Sequence, residues 1–429
     1  MVRKFAFLLF LIPVVVPLPA QVNDFFFGGY MRSGFGLDGK GHPLDVFRAP
    51  NAEAKYRLGN EAEAYIETLF GYRSSDERKK MSMETHVRFA FVTPTSKSNA
   101  FTTTMTVREA FVRMGNFLPR QKELTFWGGQ RYYNRYDNHL NDFWYWDMSG
   151  FGGGVERIAL GNNVRLSVAL LGGSIDDLQS NGNIYPEDYF VLNKTTLDLY
   201  LHEIPFLHGK LAFTFDLSRF TGDTVVTNEG PFFVESSYGW SSGIFYVRTL
   251  GDRGVNTFNV FYGQGAAENY KATMVRPIGL VVQPHDKVAI SGMKRFRIMD
   301  DLRIDFSEHF SLMAVAIYQK LDNGMPEHSR LNWFSMGVRP FWHFSRYFSL
   351  VGEIGVDHTR QDGRLQGSLG KFTIAPQLSP RNQLLSRPAL RAYFTWAVWS
   401  DDFTGMVAPH SFPDSNNGIS VGIQMETWW

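Results

Sequence analysis

Polar and apolar residues alternate along much of the chain, most clearly at its C-terminal end. Over 419–429 the odd positions are mostly apolar and the even positions are mostly polar. Successive residues of a strand point to opposite sides, so this segment would have one face of each kind. The same alternation recurs over 197–203 and 210–217, whereas helical spacing is rare. The pattern predicts an all-β protein.

Loop-forming stretches separate the alternating segments and indicate how many strands there are. They lie at 37–50, 73–80, 94–99, 181–187, 361–370 and 401–417. A membrane-spanning strand takes about 9 to 11 residues, so a hairpin with one short turn and one long loop takes roughly 45. A secreted β-sandwich also alternates, but one sandwich rarely needs roughly 400 residues. We therefore predict one transmembrane antiparallel β-barrel of about eighteen strands.

The first twenty residues have the composition of a secretory signal peptide. Two basic residues precede an apolar run over 5–16, and the small residue Ala20 follows. The run is shorter than a membrane-spanning helix, which needs about 18 or more apolar residues. We expect cleavage near Ala20, which leaves a mature barrel over 21–429 as a multi-pass protein of the cell outer membrane.

The composition bears on cofactors and partners. The chain contains no cysteine, which excludes a disulfide framework and a thiolate metal site. Its 43 Lys and Arg balance 42 Asp and Glu, which gives no argument for a nucleic-acid partner. It has 38 Phe, 18 Tyr and 10 Trp, yet a mean hydropathy of only -0.20. This combination is typical of outer-membrane barrels, in which only alternate residues meet lipid.

Charge is concentrated on one face of a strand that the alternation predicts over 56–67. Aromatic rings beside charged groups suit sugars, because pyranose C–H faces pack on rings while hydroxyls form hydrogen bonds. The alternative is that the charges only solvate a wide lumen. The glutamates also resemble glycosidase carboxylates, but a neighbouring arginine and the strand context favour a solvated polar track. We expect no catalysis, no cofactor and no metal. The face carries Arg57, Glu61, Glu63, Tyr65 and Glu67.

Several short runs resemble the maltoporin family of sugar-specific porins, from the mature N-terminus to the last residue. The resemblance implies an eighteen-stranded barrel, a homotrimer and a third loop folded inward. It also implies passive, sugar-selective diffusion of maltose, maltodextrins or related oligosaccharides. The terminal Trp429 resembles the C-terminal aromatic that the outer-membrane assembly machinery reads. The matching runs are 29–34, 55–61, 135–139, 142–150, 337–340, 386–389 and 424–429.

The family guides maltodextrins along a line of rings called the greasy slide, flanked by a polar track. The resemblance assigns Tyr30, Tyr65, Phe258 and Trp428 to the slide, with Phe261 near enough to compete with Phe258. The polar track comprises Arg32, Arg57, Glu67, Arg108, Arg135, Asp137 and Asp142.

The chain departs from the family at several places, which include the family's first-loop disulfide, where this chain has Val46 and Ala62. Trp144 stands where the family places a constriction tyrosine, so we expect a narrower channel. Leu385 replaces a slide tryptophan, and the ring that a neighbouring subunit lends falls near Ala100, with Phe101 one residue away. These departures leave open a general diffusion porin or a sucrose-type sugar porin, and a secreted carbohydrate-binding domain is an alternative from another class.

Overall fold

The computed structural model describes residues 21–76, 81–93, 104–173, 193–227, 230–273, 287–325 and 327–429. The expected signal peptide, Ala100 and Phe101 lie outside the described residues. Eighteen strands of the described chain form one sheet. They are β1 (Gln21–Asp38), β2 (Ala64–Asp76), β3 (Ser82–Thr93), β4 (Thr104–Gly115), β5 (Thr125–Arg131), β6 (Gly150–Ala159), β7 (Arg165–Gly173), β8 (Asn193–Phe206), β9 (Gly209–Thr221), β10 (Ser237–Thr249), β11 (Gly254–Gly265), β12 (Lys294–Ser307), β13 (Phe310–Asp322), β14 (Arg330–His343), β15 (Phe348–Gln361), β16 (Leu365–Leu378), β17 (Ala389–Trp399) and β18 (Asn417–Trp428).

The sheet closes on itself as a meander. Each strand pairs antiparallel with the next along the chain. The last strand, β18, then pairs antiparallel with β1, from Tyr30 opposite Trp428 to Asp38 opposite Ser420. Closure removes the unpaired edges that an open sheet would expose. The predicted antiparallel barrel is therefore confirmed.

Some connections between barrel strands contain short strands or 3-10 helices. Among the described residues, no helix has the length and apolar character needed to cross a membrane. The extra strands are Arg135–Asn138, Phe143–Asp147, Asp223–Thr227, Gly230–Val234 and Lys287–Val288, and the 3-10 helices are Ile290–Gly292 and Asp401–Phe403.

The two faces of the barrel wall differ in polarity as the alternation predicts. On β17 the side chains of Phe394 and Trp396 are exposed on the outer face, while Arg391 and Thr395 are buried on the inner face. An apolar outer band and a polar interior are typical of barrels that span the outer membrane.

The two ends of the barrel have connections of different length. Strands meet through 207–208 and 308–309 at one end, whereas 39–63 and 400–416 connect strands at the other. Outer-membrane barrels have short periplasmic turns and long extracellular loops. The end with the short turns is therefore the periplasmic end.

One strand boundary that we predicted is wrong. The alternation over 56–67 indicated a single strand, but β2 begins only at Ala64, and 39–63 form a connection. Gly59 has a φ of 66°, which ordinary strand residues do not adopt. The alternation upstream of Ala64 arises because this connection packs against the barrel interior, as described below.

Candidate functional site

Residues 132–149, the third long connection, lie inside the barrel. The guanidinium of Arg297 on β12 donates to the carbonyl of Tyr145 at 2.7 Å. The guanidinium of Arg339 on β14 donates to the carbonyl of Leu140 at 2.9 Å. Trp146 is fully buried. The segment leaves the wall between β5 and β6 and is held by β12 and β14, so this segment, which we call the inward loop, crosses the lumen.

Part of the first connection, 39–63, also enters the lumen. Glu53 forms ion pairs with Arg295 and with Arg297, the latter at 2.8 Å. The ammonium of Lys371 on β16 donates to the carbonyl of Leu58 at 2.5 Å. The ring of Tyr56 lies over glycines of β14 and β15, where an added Cβ would collide with it. Two connections thus narrow the channel.

Three aromatic residues form a continuous row across β18, β1 and β2, which we call the upper ring row. Trp428 and Tyr30 are directly opposite in the register of β18 and β1. The ring centroids of Tyr30 and Tyr65 are 6.1 Å apart. Three of the four predicted slide residues therefore lie together on one wall.

The last two residues point to opposite sides of the wall. Trp428 has the guanidinium of Arg387 over its ring at 4.4 Å and meets the inward-loop residue His139 edge-on. Trp429 instead packs against Phe27 on the outer face, with ring centroids 5.8 Å apart. The parity of the C-terminal strand predicted both positions correctly.

A dense ion cluster lies beside the upper ring row. Arg57 donates to Glu61 at 3.0 Å, to Glu426 at 3.1 Å and to the hydroxyl of Tyr30 at 2.9 Å. Glu426 also accepts hydrogen bonds from Arg387 at 2.5 Å and from Arg391 at 3.3 Å. One carboxylate therefore joins the loop residue Arg57 to the barrel wall.

Arg32 on β1 forms ion pairs with the first connection, 39–63, and with the inward loop. Its guanidinium forms ion pairs with Glu63 at 2.6 Å and with Asp142 at 3.4 Å. It also lies 5.1 Å from the centroid of the Tyr65 ring. Burial raises the pKa of Asp142, but Arg57 and Arg32 lower it more, so the net pKa lies below the usual range. Asp142 is therefore a charged acceptor at neutral pH.

Glu67 lies on β2 beside Tyr65, at one end of the upper ring row. Its carboxylate accepts hydrogen bonds from the hydroxyls of Tyr65 and Tyr132, the second at 3.0 Å, and pairs with Arg88 at 3.1 Å. Arg108 lies at a register shift between β3 and β4 and is half-buried. Both residues belong to the predicted polar track.

Trp144 and Arg135 are partly buried neighbours in the inward loop. The Arg135 guanidinium is 3.4 Å from the centroid of the Trp144 ring and 3.3 Å from the carboxylate of Asp147. Asp137 is opposite Trp144 in the small hairpin of this loop. Burial and the nearby Asp142 raise the pKa of Asp137 above its usual range, whereas the pKa of Asp142 is lowered.

The assignment of Phe258 to the slide is wrong. Its neighbours Thr257 and Asn259 are buried on the inner face of β11, and Phe258 is 38 % exposed on the outer face. The inward ring of this strand is Phe261, which packs against Trp146 of the inward loop at 5.2 Å. Phe261 is therefore a support for the loop and not an exposed ring.

Sequence reasoning did not single out several residues of the site. Glu426 lay on the polar face of the predicted C-terminal strand, and His139 and Arg387 lay within runs of the family resemblance, so a signal was present for each. For Arg391 the signal was the alternation of β17 alone. Leu385 is exposed in the connection 379–388 at the periplasmic end.

His139 lies between two arginines inside the channel. Its Nδ1 is 3.1 Å from Arg57, and its Nε2 is 3.2 Å from Arg387. Burial lowers the pKa of His139 well below its usual range, and both arginines lower it further while Glu426 raises it. The ring is therefore neutral and can accept a hydrogen bond from one of the two guanidinium groups.

Comparison with known proteins gives a family and a fold. The model of the family described as LamB porin matches residues 25–429. A BenF-like porin from Pseudomonas fluorescens Pf-5 is similar in structure, with a TM-score of 0.51 and 9% identity over 95% of this chain and 98% of that chain. OccD3 (OpdP) of Pseudomonas aeruginosa has a TM-score of 0.48 and 11% identity over 94% of this chain and 91% of that one.

Proposed function

We propose that this chain, which belongs to the LamB porin family and is an outer-membrane β-barrel porin, passes sugars selectively and passively through its lumen. The substrates we propose are maltose, maltodextrins or related oligosaccharides. The sugar would move along the upper ring row while its hydroxyls exchange hydrogen bonds with the neighbouring ionic groups. The protein would act as a channel and catalyse no reaction.

The observation that carries this proposal is the upper ring row itself. Trp428, Tyr30 and Tyr65 lie on three adjacent strands, and both carboxylates and guanidinium groups lie within contact distance of them. Pyranose rings present apolar C–H faces and peripheral hydroxyls, so they need this pairing of ring surface with ionic groups of both signs. A channel that selects by size alone needs no such row.

The narrowing of the lumen supports selectivity as well. The inward loop and the first connection are fixed to the barrel wall by buried ion pairs and hydrogen bonds. A sugar that crosses such a lumen must lose part of its hydration shell. Contacts with the upper ring row and the polar track would offset that loss, whereas solutes of equal size without hydroxyls would gain less.

The proposal includes processing and assembly. Residues 1–20 would be removed as a signal peptide near Ala20, and the mature chain would assemble as a homotrimer in outer-membrane lipid. The outward Trp429 would be part of the signal that the assembly machinery reads.

Ion-current block by sugars tests the proposal. We expect maltotriose to reduce the current through single channels in planar bilayers in a concentration-dependent and saturable way. Trp428→Ala should weaken the block about twofold to twelvefold, because one ring contact of roughly 0.5 to 1.5 kcal/mol is lost. The matched control is Trp396→Ala, which removes an outward ring and should leave the block unchanged. Current that sugars never reduce would instead indicate a general diffusion porin.

A further inference from the structure

A second row of rings lies nearer the periplasmic end of the lumen, which we call the lower ring row. Phe26 on β1, His86 on β3 and Phe111 on β4 occupy one row of the register, with Gly71 of β2 between the first two. Phe26 meets His86 at 5.2 Å edge-on, and His86 stacks on Phe111 at 4.5 Å. The row therefore spans four strands.

Gly71 makes the lower ring row continuous. A Cβ at this position would lie 2.1 Å from Cζ of Phe26. Because glycine has no side chain, the ring of Phe26 can lean over β2 until it reaches His86. Any larger residue would push that ring away and would open a gap in the row.

Ionic side chains flank the lower ring row on both sides along the barrel axis. On the periplasmic side, Glu84 accepts hydrogen bonds from Arg73 and from Arg113, each at 2.5 Å. On the other side, Arg88 donates to Glu109 at 2.6 Å. The chemistry is that of the upper ring row, with apolar ring surface between donors and acceptors.

The accessible parts of the lower ring row differ from its supporting parts. Phe111 is buried beneath His86 and beneath Arg131, whose guanidinium lies 5.0 Å from its ring centroid. Phe26 and His86 are only partly buried. The side chain of Arg73 is 51% exposed and that of Arg113 is 35% exposed. A solute in the lumen can therefore reach a ring and two guanidinium groups.

The two ring rows are separate places in the channel. Phe26 precedes Tyr30 by four residues on the same strand and the same face, which is roughly 13 Å at ~3.3 Å per residue. β18 ends beside Tyr30 and Gly29, so the lower ring row lies beyond the end of that strand.

We propose that the lower ring row and its flanking arginines form a second carbohydrate-binding site, at the periplasmic mouth of the channel. It takes a neutral pyranose, which stacks on Phe26 and bonds through its hydroxyls to the exposed guanidinium groups of Arg73 and Arg113. This site rests on the proposed function and deepens it, because a sugar that leaves the upper ring row meets it next. It also captures sugars that approach from the periplasm.

Sugar block measured from each side of an oriented bilayer tests this site. In Phe26→Ala we expect the association rate of maltotriose added at the periplasmic side to fall about threefold to tenfold. The rate from the extracellular side should stay within twofold of wild type. Gly71→Val should act in the same direction because it displaces Phe26, whereas Phe26→Tyr keeps the ring and should retain the wild-type rate. The control is Phe25→Ala, which removes the adjacent outward ring and should leave the association rate from both sides at the wild-type value.

The outcomes separate this site from the proposed function. Block that Trp428→Ala weakens but that Phe26→Ala and Gly71→Val leave unchanged from both sides would overturn the second site alone. Wild-type channels that maltotriose never blocks from either side would overturn the proposed function and the second site together. An equal loss from both sides in Phe26→Ala would show one continuous site and would also contradict the inference.

Discussion

The guanidinium carbon of Arg135 lies 3.4 Å from the centroid of the Trp144 ring. The same group lies 4.0 Å from the centroid of the Tyr132 ring, so two aromatic rings hold the cation. Asp147 neutralises part of its charge at 3.3 Å. Arg135, Trp144 and Tyr132 therefore form one stack in the inward loop, with Asp147 as its counter-ion.

Removal of the Trp144 ring should widen the channel. In Trp144→Ala a bulky, partly buried side chain of the inward loop is lost, and Arg135 loses one of its two ring contacts. We expect a higher single-channel conductance in planar bilayers and entry of larger maltodextrins in liposome swelling. Trp144→Phe, which keeps a ring, should stay close to wild type.

Trp146→Ala is the informative contrast for the Trp144 variant, because Trp146 is fully buried against Phe245, Phe261 and Tyr270. Loss of such a ring costs about 3 to 5 kcal/mol, so the thermal stability of the folded barrel should fall. Trp144→Ala conductance equal to that of wild type would place the narrowest point elsewhere.

Glu426 should be the carboxylate whose loss disturbs the lumen most. Its removal leaves Arg57, Arg387 and Arg391 close together without their shared anion. Breaking a buried pair in this way costs about 3 to 5 kcal/mol. We expect Glu426→Gln to lower the temperature at which the barrel unfolds in detergent and to shift ion selectivity towards anions.

The matched control for this variant is Glu63→Gln, because the carboxylate of Glu63 forms an ion pair with Arg32 and its side chain is 21% exposed, against 2% for Glu426. We expect a change of about 1 kcal/mol or less there. Equal effects of the two substitutions on unfolding temperature would contradict the central role of Glu426.

The last two residues should respond differently to substitution. Trp429 lies on the outer face against Phe27, and a cation there meets lipid at a cost of about 2 to 4 kcal/mol at mid-depth and about 0 to 1 kcal/mol near the interface. We expect Trp429→Lys to reduce the yield of folded barrel in outer-membrane fractions, while Trp428→Ala changes sugar block and leaves that yield near wild type. Equal yields would count against this assignment.

His139 should make the packing of the inward loop sensitive to mild acid. Burial holds its pKa well below the usual 6.5. When the loop is released from its packing, the His139 ring takes up a proton near pH 6.5. In the packed loop the same ring stays neutral at that pH. Stability of the packed state is thus fully present above pH 6.5 and declines as the pH falls below it.

Unfolding temperatures measured from pH 8 to pH 4.5 check the His139 prediction. Wild type should lose stability over this range, and His139→Gln, which has no group that titrates there, should lose less. Parallel pH profiles for the two proteins would show that His139 is not the group responsible.

The strands could be predicted from the sequence because lipid outside and water inside impose an alternation with period two. The same alternation misled over 56–63, where Tyr56 and Arg57 are buried in a connection that the barrel wall surrounds. A loop inside a barrel also has one side against the wall and one side against water. Residue pattern alone does not separate these two environments.

The ion cluster could not be predicted, because its members are far apart along the chain. Arg57 and Glu426 meet only when β18 closes against β1, and sequence spacing carries no information on that contact. The error at Phe258 has another cause. β11 has asparagines at 256 and 259, on opposite faces, so its polarity does not tell which face is inward.

The most direct test of the account is a liposome-swelling series with the wild-type protein. Maltose, maltotriose and longer maltodextrins would be compared with sucrose and with non-sugar solutes of matched mass. The account predicts that sugars enter faster than size-matched solutes, and that Tyr65→Ala with Trp428→Ala removes this difference while the entry of small solutes persists. Entry rates that depend on mass alone, for sugars and other solutes alike, would contradict a sugar-selective channel.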